Sequence, residues 1–368
     1  MLKIDLTTAV SYSRRERISS EDLKGINAHQ IMKETLLILA GLLLWAAPAV
    51  VQAQFDCSTN ADNTLTITNY TGASGAVTIP TKINGLTVSI IGDYAFGGDG
   101  LTSVVIPSSV NSIGDYSFAA NSLTNVAIPS GVTNIGDGAF EENSLVSVTI
   151  PGSVASMGVF AFAHDLSLTN LIIQAGVGMI GDDAFENTGL TNVTVPGSVN
   201  SIGESAFFYC LNLTNATIDN GVASIGSNAF SLCRNLTSVT ISSSVTNIGL
   251  QAFYNCPSLT AITVDALNSS YTSVNGVLFD KTGSALIQYP GGLATNYTIP
   301  SGVTSIADYA FENCAGVTSV DIPASVKNIG VAAFQFCYGL TNATMANGVT
   351  SIGADAFYQC SSLAGLTI

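Results

Sequence analysis

Six of the seven cysteines follow a fixed spacing, and such thiols could form disulfides, bind a metal ion or pack as small hydrophobic side chains. Each lies three residues after a phenylalanine, in two series with steps of 23 residues. Stacked parallel side chains rarely meet the dihedral angle of a disulfide, and no histidine accompanies them. We therefore expect buried thiols, with disulfides and a metal site as alternatives. The cysteine ladder consists of Cys210, Cys233, Cys256, Cys314, Cys337 and Cys360.

Carboxylates recur as well, each directly after an Ile-Gly or Ile-Ala pair. A row of carboxylates could bind calcium, but Ser227, Leu250, Val331 and Ala354 interrupt this row, and the dense Gly-Asp spacing of calcium-binding β-rolls is absent. We expect these residues to cap short helical turns. The acidic row consists of Asp93, Asp115, Asp137, Asp182, Glu204 and Asp308.

The composition leaves little material for catalysis or nucleic-acid binding. The chain has two histidines, 10 Lys and Arg residues and a net charge of −15, whereas nucleic-acid binding needs clustered basic residues. His164 is the one histidine beyond residue 53, and we expect it at the surface. The sequence predicts no catalytic residue, no metal site and no cofactor. A carbohydrate-active β-helix remains an alternative, although such enzymes usually need basic residues at the cleft.

These residues belong to an internal repeat with a period of 22 or 23 residues. The segment 101–122 reads LTSVVIPSSVNSIGDYSFAANS, and the segment 123–144 reads LTNVAIPSGVTNIGDGAFEENS. About eleven such coils cover residues 77–368. A coil this short cannot bury its own apolar face, so successive coils must stack into a solenoid.

Each position of the repeat has a physical interpretation. Val126 and Ile128 alternate as on one face of a strand, and Pro129 ends that strand because it has no N–H to donate. Gly136 permits a positive φ, and Phe140 enters the core from a short helical turn. The predicted core column is Phe96, Phe118, Phe140, Phe162, Phe185, Phe207, Phe230, Phe253, Phe311, Phe334 and Phe357.

The consensus L-T-x-V-x-I-P-x-x-V-x-x-I-G-x-x-A-F-x-x-C resembles the BspA-type, or Treponema pallidum-type, leucine-rich repeat. The resemblance covers most of the chain beyond residue 53 and implies an exported bacterial protein that acts in adhesion or protein binding. It implies no catalytic or ligand motif. The expected fold is an α/β repeat solenoid, right-handed, with β-strand-dominated coils and short helical turns.

The outward positions of the predicted strands carry rows of threonine and asparagine. Such rows suit an exposed strand face that serves solubility, or a face that binds a protein or a glycan; an ordered threonine array could also order water, as in ice-binding solenoids. The expected partner is a host, matrix or cell-surface protein, and a structural spacer within a larger surface protein is the competing function. The candidate binding face is Thr124, Asn125, Thr191, Asn192, Thr194, Thr214, Asn215, Thr217, Thr237 and Thr240.

The N-terminal part has the pattern of a leader. Residues 36–51 carry no charge, Lys33 precedes them, and a small-x-small pattern follows at 51–53, as in a secretory signal peptide. The sequence therefore predicts a secreted or cell-surface protein with no membrane span after cleavage. The predicted organisation is a disordered extension or misplaced start at 1–31, a signal peptide at 32–53, a lead-in at 54–76 and the solenoid at 77–368.

The period breaks once, where an insertion of about residues 265–297 separates two repeats. Two apolar runs flank a polar turn that contains glycine, which predicts a β-hairpin; a ligand-binding loop is the alternative. The printed sequence stops within a repeat at Ile368, without the polar cap that solenoids need. This pattern predicts a fragment of a longer protein or an end that pairs with another chain.

Overall fold

The computed structural model describes residues 54–293 and 296–367. The predicted extension and signal peptide, residues 1–53, lie outside this description. Residues 54–368 form one compact unit, a β-solenoid of leucine-rich repeats with about 13 turns. The described residues contain strands and turns but no helix, so the predicted short helical turns are wrong.

The strands of the described residues follow one another in chain order. They are β1 Phe55–Thr59, β2 Leu65–Tyr70, β3 Gly75–Thr78, β4 Lys82–Ile83, β5 Leu86–Ile91, β6 Leu101–Val105, β7 Ser112–Ile113, β8 Asn134–Ile135, β9 Ser147–Ile150, β10 Ser156–Met157, β11 Asn170–Ile173, β12 Met179–Ile180, β13 Asn192–Val195, β14 Ser201–Ile202, β15 Asn215–Ile218, β16 Ser224–Ile225, β17 Ser238–Ile241, β18 Asn247–Ile248, β19 Ala261–Val264, β20 Tyr271–Val274, β21 Val277–Asp280, β22 Ala285–Gln288, β23 Asn296–Thr298, β24 Ser305–Ile306, β25 Ser319–Ile322, β26 Asn328–Ile329, β27 Asn342–Met345, β28 Ser351–Ile352 and β29 Gly365–Thr367.

Two rows of parallel strands run along the solenoid. In the long-strand row, β13, β15, β17 and β19 pair in order, and Val193 lies opposite Ala216. In the short-strand row, β12, β14, β16 and β18 pair in order, and Ile202 lies opposite Ile225. Alternate residues of the long strands are buried, as the period-two pattern requires. Equivalent residues of neighbouring coils therefore stand directly above one another.

The turn after each short strand is held by hydrogen bonds between coils. In one coil Gly138 and Glu142 have φ of 55° and 54°, and left-handed residues interrupt a right-handed helix. The backbone amide of Phe118 donates to the carbonyl oxygen of Ala139 in the next coil at 2.8 Å. Because alternate turn amides bond to the next coil, they are unavailable for bonds to a carbonyl four residues earlier, and no helix forms.

The repeated glycine has a different role from the one predicted. Gly136 is not among the residues with positive φ, and Gly138 has that conformation instead. A Cβ atom on Gly136 would lie 2.6 Å from the carbonyl carbon of Gly114 and 2.7 Å from the amide nitrogen of Asp115. Glycine is therefore required because neighbouring coils approach closely at this point.

Stacked phenylalanine rings form the centre of the solenoid. Successive ring centroids from Phe96 to Phe253 lie 5.0–5.9 Å apart, with interplanar angles of 7–16°. The rings from Phe96 to Phe230 are fully buried, whereas Phe357 in the last coil is half-buried. Leu, Val and Ile from both strand rows surround the rings. The core is continuous as far as the insertion, within which a second apolar cluster begins.

The insertion contains the predicted hairpin and also one further coil. Strands β20 and β21 pair antiparallel around Asn275 and Gly276, whose φ values are 51° and 82°. Strand β22 pairs with β21 and then, in parallel, with β24 of the short-strand row. Tyr289 follows β22 and stacks on Phe311 at 4.8 Å, in the position of a core phenylalanine. This coil, together with the pairing of β2 to β5, adds turns to the eleven that the period indicates.

Candidate functional site

The predicted polar face lies on the long-strand row and at its entry. In β13, Asn192 and Thr194 are exposed while Val193 and Val195 are buried. Parallel pairing places Thr194 opposite Thr217, and the same register continues to the next coil. Equivalent side chains therefore form continuous rows across the coils. The structure places these residues exposed or half-buried: Thr124, Asn125, Thr191, Asn192, Thr194, Thr214, Asn215, Thr217, Thr237 and Thr240.

Side-chain hydrogen bonds hold part of this face in place. The hydroxyl of Thr214 donates to the carbonyl oxygen of Thr191 at 2.9 Å, and that of Thr237 donates to the carbonyl oxygen of Thr214 at 2.9 Å. The amide of Asn215 donates to Oδ1 of Asn192 at 3.2 Å. Side chains that are already ordered lose less entropy when a partner binds. The face is thus a preorganised polar surface.

The cysteine ladder lies inside the turns and bonds each coil to the one before it. The thiol of Cys233 lies 3.2 Å from the carbonyl oxygen of Phe207, and that of Cys256 lies 3.1 Å from the carbonyl oxygen of Phe230. Cys210, Cys233, Cys256, Cys314 and Cys337 are buried, Cys360 is half-buried, and all six are free thiols. A thiol is a weak donor, and each of these contacts adds a hydrogen bond between neighbouring coils.

Coils without cysteine fill the same position with other donors, which sequence reasoning missed. The side-chain amide of Asn121 donates to the carbonyl oxygen of Phe96 at 2.8 Å, and its Oδ1 accepts from the amide of Leu101 at 2.8 Å. The detectable signal was the constant offset of three residues from the core phenylalanine. We call this set the internal column: Asn121, Asn143, Asp165, Thr188, Cys210, Cys233, Cys256, Cys314, Cys337 and Cys360.

We expect the buried thiols to resist modification in the native protein. Burial raises the pKa of Cys210 to about 11 and that of Cys256 to about 12, and the thiolate is the reactive form. A hydrogen bond with Cys337 lowers the pKa of the half-buried Cys360. Titration with a thiol reagent at pH 8 should therefore modify Cys360 first, followed by Cys57, which is also half-buried but whose pKa is raised by burial. Denaturation without reductant should release all seven thiols, and a lower count would establish a disulfide.

The aspartates of the acidic row cap the neighbouring coil and not a helix. Oδ1 of Asp137 accepts a hydrogen bond from the amide of Val159 in the next coil at 2.8 Å, and Oδ1 of Asp115 accepts from the amide of Asp137 at 2.9 Å. Asp115, Asp137, Asp182 and Glu204 line a surface groove of about 570 Å³. Within residues 54–293 and 296–367, no group of three Asp, Glu, His or Cys residues could hold a metal ion.

His164 is half-buried within a turn. Its Nδ1 lies 3.2 Å from the side-chain amide of Asn187 in the following coil. This contact links two coils, which is a structural use of the imidazole.

Stacked coils, a close-packed glycine column and a polar strand face together define a leucine-rich-repeat solenoid. Residues 89–214, 200–294 and 289–368 match the BspA type leucine rich repeat region. The chain belongs to this family, as the repeat pattern predicts. No curated protein matches it in sequence.

Solved structures of bacterial leucine-rich repeat proteins are similar to the chain. A leucine rich cell surface protein from Faecalibacterium prausnitzii is 28% identical, with a TM-score of 0.56 over 86% of this chain and 87% of that one. A leucine-rich repeat protein from Bacteroides ovatus is 23% identical, with a TM-score of 0.60 over 85% and 92% of the two chains. The pneumococcal vaccine antigen PcpA is 22% identical, with a TM-score of 0.54 over 85% and 78%. The part of the chain that the structure describes contains no helix able to cross a membrane.

Proposed function

We propose that this protein is exported and binds a protein partner at the cell surface through its polar strand face, without catalysis. The observation that carries this proposal is the continuity of the face: Asn192, Asn215 and Ser238 stand in one row, as do Thr194, Thr217 and Thr240. An extended surface of this kind is how solenoids bind partners. The cell-surface description of the Faecalibacterium prausnitzii protein supports the location.

The hydroxyl groups of Thr194, Thr217 and Thr240 are the part of the face best placed to contact a partner. They make no side-chain hydrogen bond within the described residues, whereas Thr214 and Thr237 bond to the preceding coil. Strands β15 and β17 are paired on both sides, so contact with a partner at Thr217 and Thr240 needs no backbone rearrangement. Recognition through this face therefore depends on hydroxyl and amide groups and on shape.

Substitution of three threonines should weaken binding without unfolding the solenoid. The variant carries Thr194→Lys, Thr217→Lys and Thr240→Lys, and we expect it to lose at least about tenfold in affinity, since the long charged side chains disturb the fit and the threonine hydroxyl groups are lost. The measurement is surface plasmon resonance against immobilised fibronectin, laminin and collagen, with unfolding midpoints as a check of the fold.

A matched control places three lysines on the short-strand row, at Asn134, Ser156 and Ser201, which point outward from that row. This control adds the same charge and should retain saturable binding. Equal loss in both variants would indicate a general charge effect and would contradict the assignment of the face. Absence of saturable binding by the parent protein to all three probes would favour the structural spacer.

A further inference from the structure

Asp165 is the one ionisable carboxyl group of the internal column. Its side chain is fully buried. Oδ1 accepts a hydrogen bond from the backbone amide of Leu145 at 3.1 Å, whereas Oδ2 is buried without a hydrogen-bond partner in the described part of the chain. A buried carboxylate oxygen without a donor is costly.

The neighbouring members of the column show what this position requires. In the preceding coil, the side-chain amide of Asn143 donates to the carbonyl oxygens of Phe118 and Phe140, at 3.0 and 2.9 Å. In the following coil, the hydroxyl of Thr188 donates to the carbonyl oxygen of Phe185 at 3.0 Å. Each of these side chains supplies a hydrogen. A carboxylate has none to supply, but a protonated carboxyl group has one.

The surroundings provide no positive charge to stabilise a carboxylate at this position. The titratable side chains on the adjoining turns are His164 beside Asp165 itself and the acidic residues Asp137, Glu141 and Glu142 in the preceding coil and Asp182, Asp183 and Glu186 in the following coil. The imidazole of His164 interacts with Glu141 and lies against Asn187.

Burial dominates the ionisation of this group. It raises the pKa of Asp165 to about 8, and the backbone amides of Leu145 and Asn143 oppose the shift without overcoming it. The geometry and the electrostatics thus both favour the protonated form of Asp165.

We propose that Asp165 is protonated in the folded protein at neutral pH and donates a hydrogen bond to the carbonyl oxygen of Phe140. The contact between these two coils then weakens as the pH rises. The register of the column supports this acceptor, because Asn121, Asn143 and Cys233 each donate to the phenylalanine carbonyl of the coil before them. Protonated Asp165 is then the equivalent of Asn143.

The sign of the pH dependence follows from the shift. The pKa of Asp165 is higher in the folded state than its ordinary value of 3.8, so the folded state binds the proton more tightly. This stabilisation is complete below about pH 4 and is lost as the pH rises towards about 8. Over this interval, Asp165 should raise the unfolding constant by up to about tenfold per pH unit.

The experiment compares the parent protein with D165N by urea unfolding at pH 4 to 9. Asparagine supplies the donor at every pH, so the unfolding constants of the two proteins should converge near pH 4 and diverge steadily towards pH 8. Taking the difference removes the contribution of the other carboxyl groups. The control variant N143D creates a second buried carboxyl in the adjoining coil and should steepen the pH dependence.

Infrared spectroscopy at pH 7 tests the protonation state directly. The parent protein should show the carbonyl stretch of a buried protonated carboxyl group, and D165N should lack it. A difference in stability that is independent of pH, or the absence of this band from the folded parent protein, would overturn the proposal.

Discussion

Phe207→Ala is expected to destabilise the solenoid by about 3–5 kcal/mol, the range for truncation of a buried aromatic side chain. The ring is fully buried and lies 5.5 Å from Phe185 and 5.2 Å from Phe230. Its removal leaves a cavity and also ends two stacking contacts, each worth about 0.5–1.5 kcal/mol. Because each coil contacts only its neighbours, no distant residue can repack into the gap. The measurement is the urea midpoint at fixed pH.

A matched control exists in the adjacent residue, Phe208, which is half-buried in the same turn. Phe208→Ala removes the same number of atoms and should shift the midpoint far less. An unchanged midpoint for Phe207→Ala would show that the phenylalanine column is not the structural centre of the fold.

Gly203→Ala is expected to destabilise the protein by about 1–3 kcal/mol or more through overpacking. A Cβ atom here would lie 2.5 Å from the carbonyl carbon and oxygen of Gly181 and 2.6 Å from the amide nitrogen of Asp182. All of these are backbone atoms of the preceding coil, so no side chain can move aside. The coils would have to separate, which weakens the short-strand row on both sides of the substitution.

Gly302→Ala provides the contrast, because a Cβ at that position meets no atom within 4 Å and φ is not positive. This control should be neutral or stabilising by about 0.4–1 kcal/mol, as alanine restricts the unfolded chain. Equal losses of thermal stability in both variants would attribute the effect to glycine replacement in general and not to contact between coils.

The stacked architecture was predictable because every copy of the repeat contains the same apolar pattern. Positions such as Val126 and Phe140 recur in successive coils, and stacking is the arrangement that buries them all. The turn conformation was not predictable in the same way. Tyr116 and Ala120 adopt positive φ, and neither residue type favours that conformation. The turn is stabilised by hydrogen bonds to the next coil, which a local pattern does not contain.

In the insertion and in the internal column, residues of different types occupy structurally equivalent positions, which sequence comparison does not detect. Tyr289 replaces a phenylalanine in a coil that otherwise departs from the consensus. The sequence repeat therefore does not reveal this coil. Asn143 and Cys233 differ in chemistry, yet each donates to a phenylalanine carbonyl of the preceding coil. The outward rows at Thr194 and Thr217 were predictable from strand alternation. The identity of a partner depends on the shape and chemistry of a second molecule, and neither is encoded in this chain.

The upper and lower surfaces of each coil are complementary, which has a consequence for the history of the gene. The same contacts repeat at each junction between coils: hydrogen bonds between backbone amides and carbonyl groups, a stacked aromatic ring and a close approach at glycine. Tandem duplication or deletion of one 22- or 23-residue unit would therefore leave the new junction with matching partners. Array length can change in whole units during evolution, whereas a change of length within a unit has to preserve the contacts with the coils on both sides.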